Sequence, residues 1–123
     1  MRVCVAGAMG AFGLKHLDAL AQIDGVEVTS VVGSKPEKIE AFAKERGIGH
    51  YTTDLAESLA RDDVDAVILA TPTQMHASQS IQYMEAGKHV MVEIPMADNI
   101  EDSRAVVEAQ RKTGLVAMAG HTR

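Results

Sequence analysis

The sequence predicts an α/β fold, a doubly wound parallel sheet of about six strands in the order 3-2-1-4-5-6. Three observations predict it. An apolar run at the start of the chain leads into Gly7-Ala8-Met9-Gly10-Ala11-Phe12-Gly13, with glycine at every third position. Short apolar runs then alternate with helix-like stretches along the whole chain, the pattern of strands joined by right-handed helical crossovers. One of those runs, Asp65 to Ala70, is apolar throughout after its first acid, as expected of a strand covered on both faces.

Each element has its own signal. Val3 to Ala6 reads as a buried strand, and Leu14 to Ile23 as the helix after the glycine loop. The turn Asp24-Gly25 precedes Val26 to Val32, a β-branched second strand. Ser34 is positioned to cap the next helix, with Pro36 in its first turn, apolar residues at Ile39, Phe42 and Ala43, and Gly47 as its stop. His50 to Thr52 reads as a short strand, and Asp54 as the cap of a short helix through Leu59. After the fourth strand, Thr71-Pro72-Thr73 breaks the run, and Met75 to Ala86 forms a helix with Ala77, Ile81 and Met84 on one face. His89 to Glu93 is the fifth strand, ended by Pro95. Asp98 or Asn99 caps a long helix with Val106, Val107 and Gln110 on one side, and Leu115 to Ala119 is the last strand.

Composition bounds the function. A chain of 123 residues, 46% hydrophobic with net charge −5, is a single globular domain whose acidic balance disfavours nucleic acid or an anionic membrane as partner. The lone Cys4 sits inside an apolar strand and has no internal disulfide partner, which with the absence of a leader segment predicts a cytoplasmic protein. The histidines lack ligand-like pair spacing, so no metal is expected. Neither G-x-S-x-G nor G-x-x-x-x-G-K-[ST] occurs, which argues against a serine hydrolase and a phosphate-loop ATPase or GTPase.

The chemistry is expected at the carboxyl ends of the strands, where a doubly wound sheet binds its ligand. The glycine loop opens a helix, and a helix N-terminus with free N–H groups suits a phosphate. Gly7 permits the sharp turn, Gly10 the close approach of a pyrophosphate, and Gly13 the packing of helix on strand. Its spacing, G-x-x-G-x-x-G, is one residue longer than G-x-G-x-x-G. At the second strand end stand Gly33, Ser34 and Lys35, with no acid there. A hydroxyl and an ammonium suit a ribose 2′-phosphate, so NADP is predicted over NAD. The fourth strand ends at Ala70-Thr71-Pro72-Thr73 with His76 beyond, and the fifth at Glu93-Ile94-Pro95. A carboxylate at that position, Glu93, is available to hydrogen-bond a nicotinamide ribose or carboxamide. His16, inside the first helix, is expected to pack on a strand or bond a loop.

Together, Gly10-Ala11-Phe12-Gly13 with His16, Ala70-Thr71-Pro72-Thr73 with His76, Gly87-Lys88-His89-Val90 leading to Glu93 and Pro95, and Gly120-His121 with Arg123 resemble the Gfo/Idh/MocA family of NAD(P)-dependent oxidoreductases (glucose–fructose oxidoreductase, inositol dehydrogenase and MocA). The resemblance implies a Rossmann coenzyme domain over residues 1–123. In the family this domain is followed by an α/β domain that carries the substrate site and usually the oligomer interface, so the chain is expected to be the coenzyme half of a longer dehydrogenase acting on a small molecule. The family's Glu-Lys-Pro motif reads Glu93-Ile94-Pro95 here, and isoleucine cannot take the proton that the lysine takes. The resemblance leaves His121, or a residue outside this chain, as the candidate base, and leaves open a non-catalytic coenzyme sensor, or a sugar or polyol dehydrogenase. The longer glycine spacing alone suggests a reductase of the dihydrodipicolinate type, against which the Thr71–His76 and Glu93–Pro95 pieces count.

Overall fold

The structure, a computed structural model, describes residues 1–120. Six strands and five helices alternate along it: β1 (Arg2–Ala6), α1 (Ala11–Leu20), β2 (Glu27–Val32), α2 (Pro36–Arg46), β3 (His50–Thr52), α3 (Leu55–Leu59), β4 (Ala66–Leu69), α4 (Thr73–Glu85), β5 (His89–Glu93), α5 (Ile100–Thr113) and β6 (Ala117–Gly120). The strands form one sheet in the order β3-β2-β1-β4-β5-β6, and all five pairings are parallel. The expected topology is therefore the observed one.

Side-chain alternation divides the core into two layers. Along β1, Val3 and Val5 join Leu17, Ile39, Ala43 and Ile68 under α1 and α2. Cys4 and Ala6 face the other way, toward Tyr83, Met84 and Val106 of α4 and α5. Cys4 is fully buried, and burial pushes its thiol pKa up. The group stays protonated and packs as a small hydrophobe. Among the described residues no helix is long and apolar enough to cross a membrane.

Element boundaries depart from expectation in instructive places. α1 begins three residues earlier than Leu14, because Gly10 takes the extended N-cap conformation (φ −75°, ψ 168°) and the loop's last residues wind into the helix. The cap of α2 is Lys35, not Ser34, and no side chain caps that end. Pro36 forces the residue before it into extended geometry, so the N-cap position falls on Lys35 (φ −123°, ψ 116°). Asp54 does cap α3, accepting from the Ala56 N–H. Asn99 rather than Asp98 caps α5, accepting from the Asp102 N–H. On α5, Val106 is buried but Val107 is 42% exposed. Neighbouring helical positions lie about 100° apart, so the two valines cannot share one narrow face.

The amino end of the sheet is tied by charge. Arg2 donates to Asp65 from its backbone N–H and its guanidinium at 2.8–3.2 Å. The guanidinium, then the backbone N–H, holds the Asp65 carboxyl down to about 2. The folded form thus prefers the carboxylate, and the pair contributes above the ordinary carboxylate range and not below the lowered value. Asp65→Asn is expected to lower the urea midpoint slightly near neutral pH, with the gap to wild type closing as pH falls from about 4 to about 2. A gap that stayed constant across that range would contradict the assignment. Both groups are well exposed, so the effect is small.

Candidate coenzyme site at the carboxyl edge of the sheet

Every carboxyl strand end lies along one edge, and the glycine loop is its centre. Gly7 has φ +75°, and a Cβ there would lie 2.3 Å from the Ala70 carbonyl oxygen. A Cβ on Gly13 would lie 2.1 Å from the Gly7 oxygen and 2.8 Å from Ala8 Cα. These two glycines let β1, β4 and α1 close on one another. Gly10 differs: a Cβ there would meet only the Gly7 oxygen, at 3.5 Å, so the space above it is open. The loop is held across the top of β2, where Gly7 and Ala8 donate to the Val32 carbonyl at 3.0 and 3.3 Å.

The first intrahelical bond of α1 runs from the Leu14 N–H to the Gly10 carbonyl, at 3.0 Å. The N–H groups of Ala11, Phe12 and Gly13 therefore have no acceptor within the helix. No side chain caps this end and no acid stands in its first turn. Three backbone donors and the positive end of a helix dipole are left for an anion beside an open glycine.

Two grooves flank that end. One is lined by Gly7, Met9, Gly10, Gly33 and Ser34 on the β1–β2 side and by Ala70, Thr71 and Pro72 at the end of β4. The other is lined by Phe12, Thr73, His76, Glu93 and Ile94, and shares Ala70, Thr71 and Pro72 with the first. The strand-end residues singled out in the sequence thus gather along one continuous edge. Ala8 is buried in the α1 layer, and Ala11 is exposed at the helix mouth. Lys35 is exposed next to Ser34. Ile94 is 43% exposed, and its peptide bond to Pro95 is cis. His121 lies outside the described residues.

Two side chains behave differently from the reading of the sequence. His76 borders the second groove yet is buried, with Nδ1 2.8 Å from the Pro95 carbonyl and Nε2 2.7 Å from the Thr71 carbonyl. Its ring faces those two backbone oxygens, joining the loop after β4 to the loop after β5, rather than reaching into the groove. Glu93 is buried and paired with His16 of α1, so it serves packing as well as bordering the groove. His16 takes the first of its two expected roles, tying α1 to a strand through Glu93 at the end of β5. The Thr71 hydroxyl donates to Gln79 at 2.6 Å.

The sequence reading missed the residues that complete the first groove. Thr53 and Leu55, after β3, and Met75 and Gln79 of α4 line it. The signal was available for the first two: β3 is parallel to β2, so its carboxyl end opens on the same edge.

The sequence model of an oxidoreductase family with an NAD-binding Rossmann fold matches residues 1–121. The chain is 59% identical over 123 residues to 4-carboxy-2-hydroxymuconate-6-semialdehyde dehydrogenase of Sphingobium sp. (strain NBRC 103272 / SYK-6), covering 100% of this chain and 39% of that protein. It is 33% identical over 104 residues to scyllo-inositol 2-dehydrogenase (NADP(+)) of Bacillus subtilis (strain 168), covering 85% of this chain and 32% of that protein. The crystal structure of the WlbA dehydrogenase from Bordetella pertussis, in complex with NADH and UDP-GlcNAcA, superposes with a TM-score of 0.90 at 31% identity, over 98% of this chain and 34% of that one. The chain spans between 32% and 39% of the length of these relatives.

Proposed function

The chain belongs to the Gfo/Idh/MocA oxidoreductase family, and from that premise we propose that it is the coenzyme-binding part of an NADP-preferring dehydrogenase. The observation that carries the reading is the uncapped start of α1, with three donors beside an open Gly10 and a groove on either side. That arrangement fits a molecule with a central pyrophosphate and two nucleoside arms. The Ser34 groove would take the adenosine arm and the Glu93 groove the nicotinamide arm. When bound, NADP would supply the acceptor for a hydride from the substrate carbon. The chain's own residues do the rest: the α1 N–H groups hold the diphosphate, Ser34 and Lys35 meet the 2′-phosphate, and Glu93 and the Thr71 to Thr73 backbone orient the nicotinamide ribose.

The coenzyme preference rests on the second strand end. No acid stands between Val28 and Lys35 to repel a 2′-phosphate, and Ser34 lines the groove. The relatives named above include proteins described with NADP(+) and with NADH, so family membership alone does not choose. Titration with NADPH and NADH, followed by fluorescence, tests the choice. NADPH is expected to bind more tightly, and Lys35→Ala to weaken NADPH about tenfold, ~1.4 kcal/mol, with NADH nearly unchanged. Equal affinities, or equal losses, would defeat it.

For the substrate, the 59% relative supports a carboxylated muconate semialdehyde, whose cyclic hemiacetal would lose a hydride and a hydroxyl proton to give a pyrone dicarboxylate. The longer parent would supply the substrate domain, and the exposed Val116, just before the edge strand β6, and Met118 within it fit more protein covering that end of the sheet. The described residues offer no side chain at position 94 to take the hydroxyl proton, since Ile94 has none to exchange. That substitution also supports a second reading, a coenzyme sensor without turnover. Full-length protein that binds NADPH but oxidises neither the semialdehyde nor a polyol would establish the sensor instead.

A further inference from the structure

His16 lies on the α1 face turned to the sheet, 77 residues from the carboxylate it bonds. We infer that His16 is a positioning residue: it fixes the Glu93 carboxylate at the wall of the nicotinamide-side groove. The inference rests on the coenzyme reading above and assigns to that site a residue outside both grooves.

Strand parity and helix packing produce the pair. In β5, Val90 and Val92 face the α4–α5 layer, so Met91 and Glu93 face the α1 layer, and Met91 packs there. Glu93 is the last residue of β5, at the carboxyl edge. α1 packs on β1 and β2, and β4 lies between β1 and β5 in the sheet, so the His16 ring spans β4 to reach the end of β5, where Nε2 meets Glu93 Oε1. The two side chains are 13% and 10% exposed. A carboxylate so enclosed is costly without donors, and α1 supplies one from the helix whose N-terminus faces the anion site.

The pair thereby joins two parts of one site. The mouth of α1 holds the diphosphate, and the same helix, through His16, orients an acceptor in the groove shared with Phe12, Thr71 and Ile94. An ionised carboxylate has about four lone-pair positions, more than the bond to His16 occupies, and under the coenzyme reading Glu93 accepts from a ribose hydroxyl or a carboxamide N–H. With the imidazole removed, the carboxylate loses a donor that restricts its rotamer, and the groove loses a preorganised acceptor.

The bland alternative is that His16 and Glu93 only staple α1 to the sheet. The two roles separate by ligand. NADPH uses both arms of the site, whereas 2′-phospho-ADP-ribose uses the diphosphate and adenosine arm without a nicotinamide. His16→Ala is expected to weaken NADPH about tenfold or more and 2′-phospho-ADP-ribose by less than about twofold, with His16→Gln, which keeps a donor, recovering most of the loss. Glu93→Gln is expected to show the same split and carries the test if His16→Ala does not fold. Equal losses on both ligands, or an unchanged NADPH affinity in these variants, would overturn the positioning role. Wild-type chain that binds neither ligand would instead sink the coenzyme reading, and this inference with it.

Discussion

Alanine at Gly13 is expected to lower the melting temperature by roughly 10 °C or more. The added Cβ would lie 2.1 Å from the Gly7 oxygen and 2.8 and 2.9 Å from Ala8 Cα and C. All three are backbone atoms, so no rotamer change relieves the clash. α1 would have to lift from β1, opening the layer in which Leu17 packs with Val3 and Val5. Overpacking of a rigid contact costs about 1–3 kcal/mol and more where backbone must move, out of a net stability of roughly 5–15 kcal/mol. Gly7→Ala is expected to be as damaging, because it adds a left-handed φ of +75° to a 2.3 Å approach to the Ala70 oxygen. Circular dichroism melts check both. A Gly13→Ala melt within about 2 °C of wild type would mean that α1 does not rest on the loop as described.

Valine at Gly10, three residues away, is expected to do the reverse: keep the fold and abolish coenzyme binding. The φ of −75° suits any residue, and a Cβ has open space around it. The stability cost is that of a poorer N-cap, no more than about 1 kcal/mol. The branched side chain would stand over the N–H groups of Ala11, Phe12 and Gly13 and deny them to a diphosphate. Hydrogen bonds to a charged group contribute about 1.5–3 kcal/mol each, so losing two lowers NADPH affinity at least about 100-fold. Calorimetric titration with a parallel melt reads both quantities on one sample. Unchanged affinity in a folded Gly10→Val protein would remove the diphosphate from the start of α1, and the proposed function with it.

The contrast between Gly13 and Gly10 was legible in the spacing, because each glycine's task follows from its place in a strand-turn-helix unit. The element order was legible for the same reason. Apolar runs of strand length, punctuated by Gly and Pro and separated by helical spacing, leave few other topologies. Where local chemistry is strong, residues were also legible: Asp54 as a cap, Gly47 as a helix stop. Where two local rules compete, they were not. Ser34 is a good capping residue, but Pro36 dictates the backbone of Lys35, and the proline constraint is the stiffer one.

The sequence by itself determined the sheet order, the loop that opens α1 and the set of strand ends from which a site is built, because these depend on period, punctuation and chain order. Only the tertiary structure decided what the polar side chains at those ends do. His76 meets two carbonyls from different loops, and Glu93 meets a helix 77 residues earlier. A hydrogen bond is set by the position of a few atoms in space. Residues far apart in the chain reach that position only after the helices have packed on the sheet, so no pattern along the sequence encodes the pairing directly.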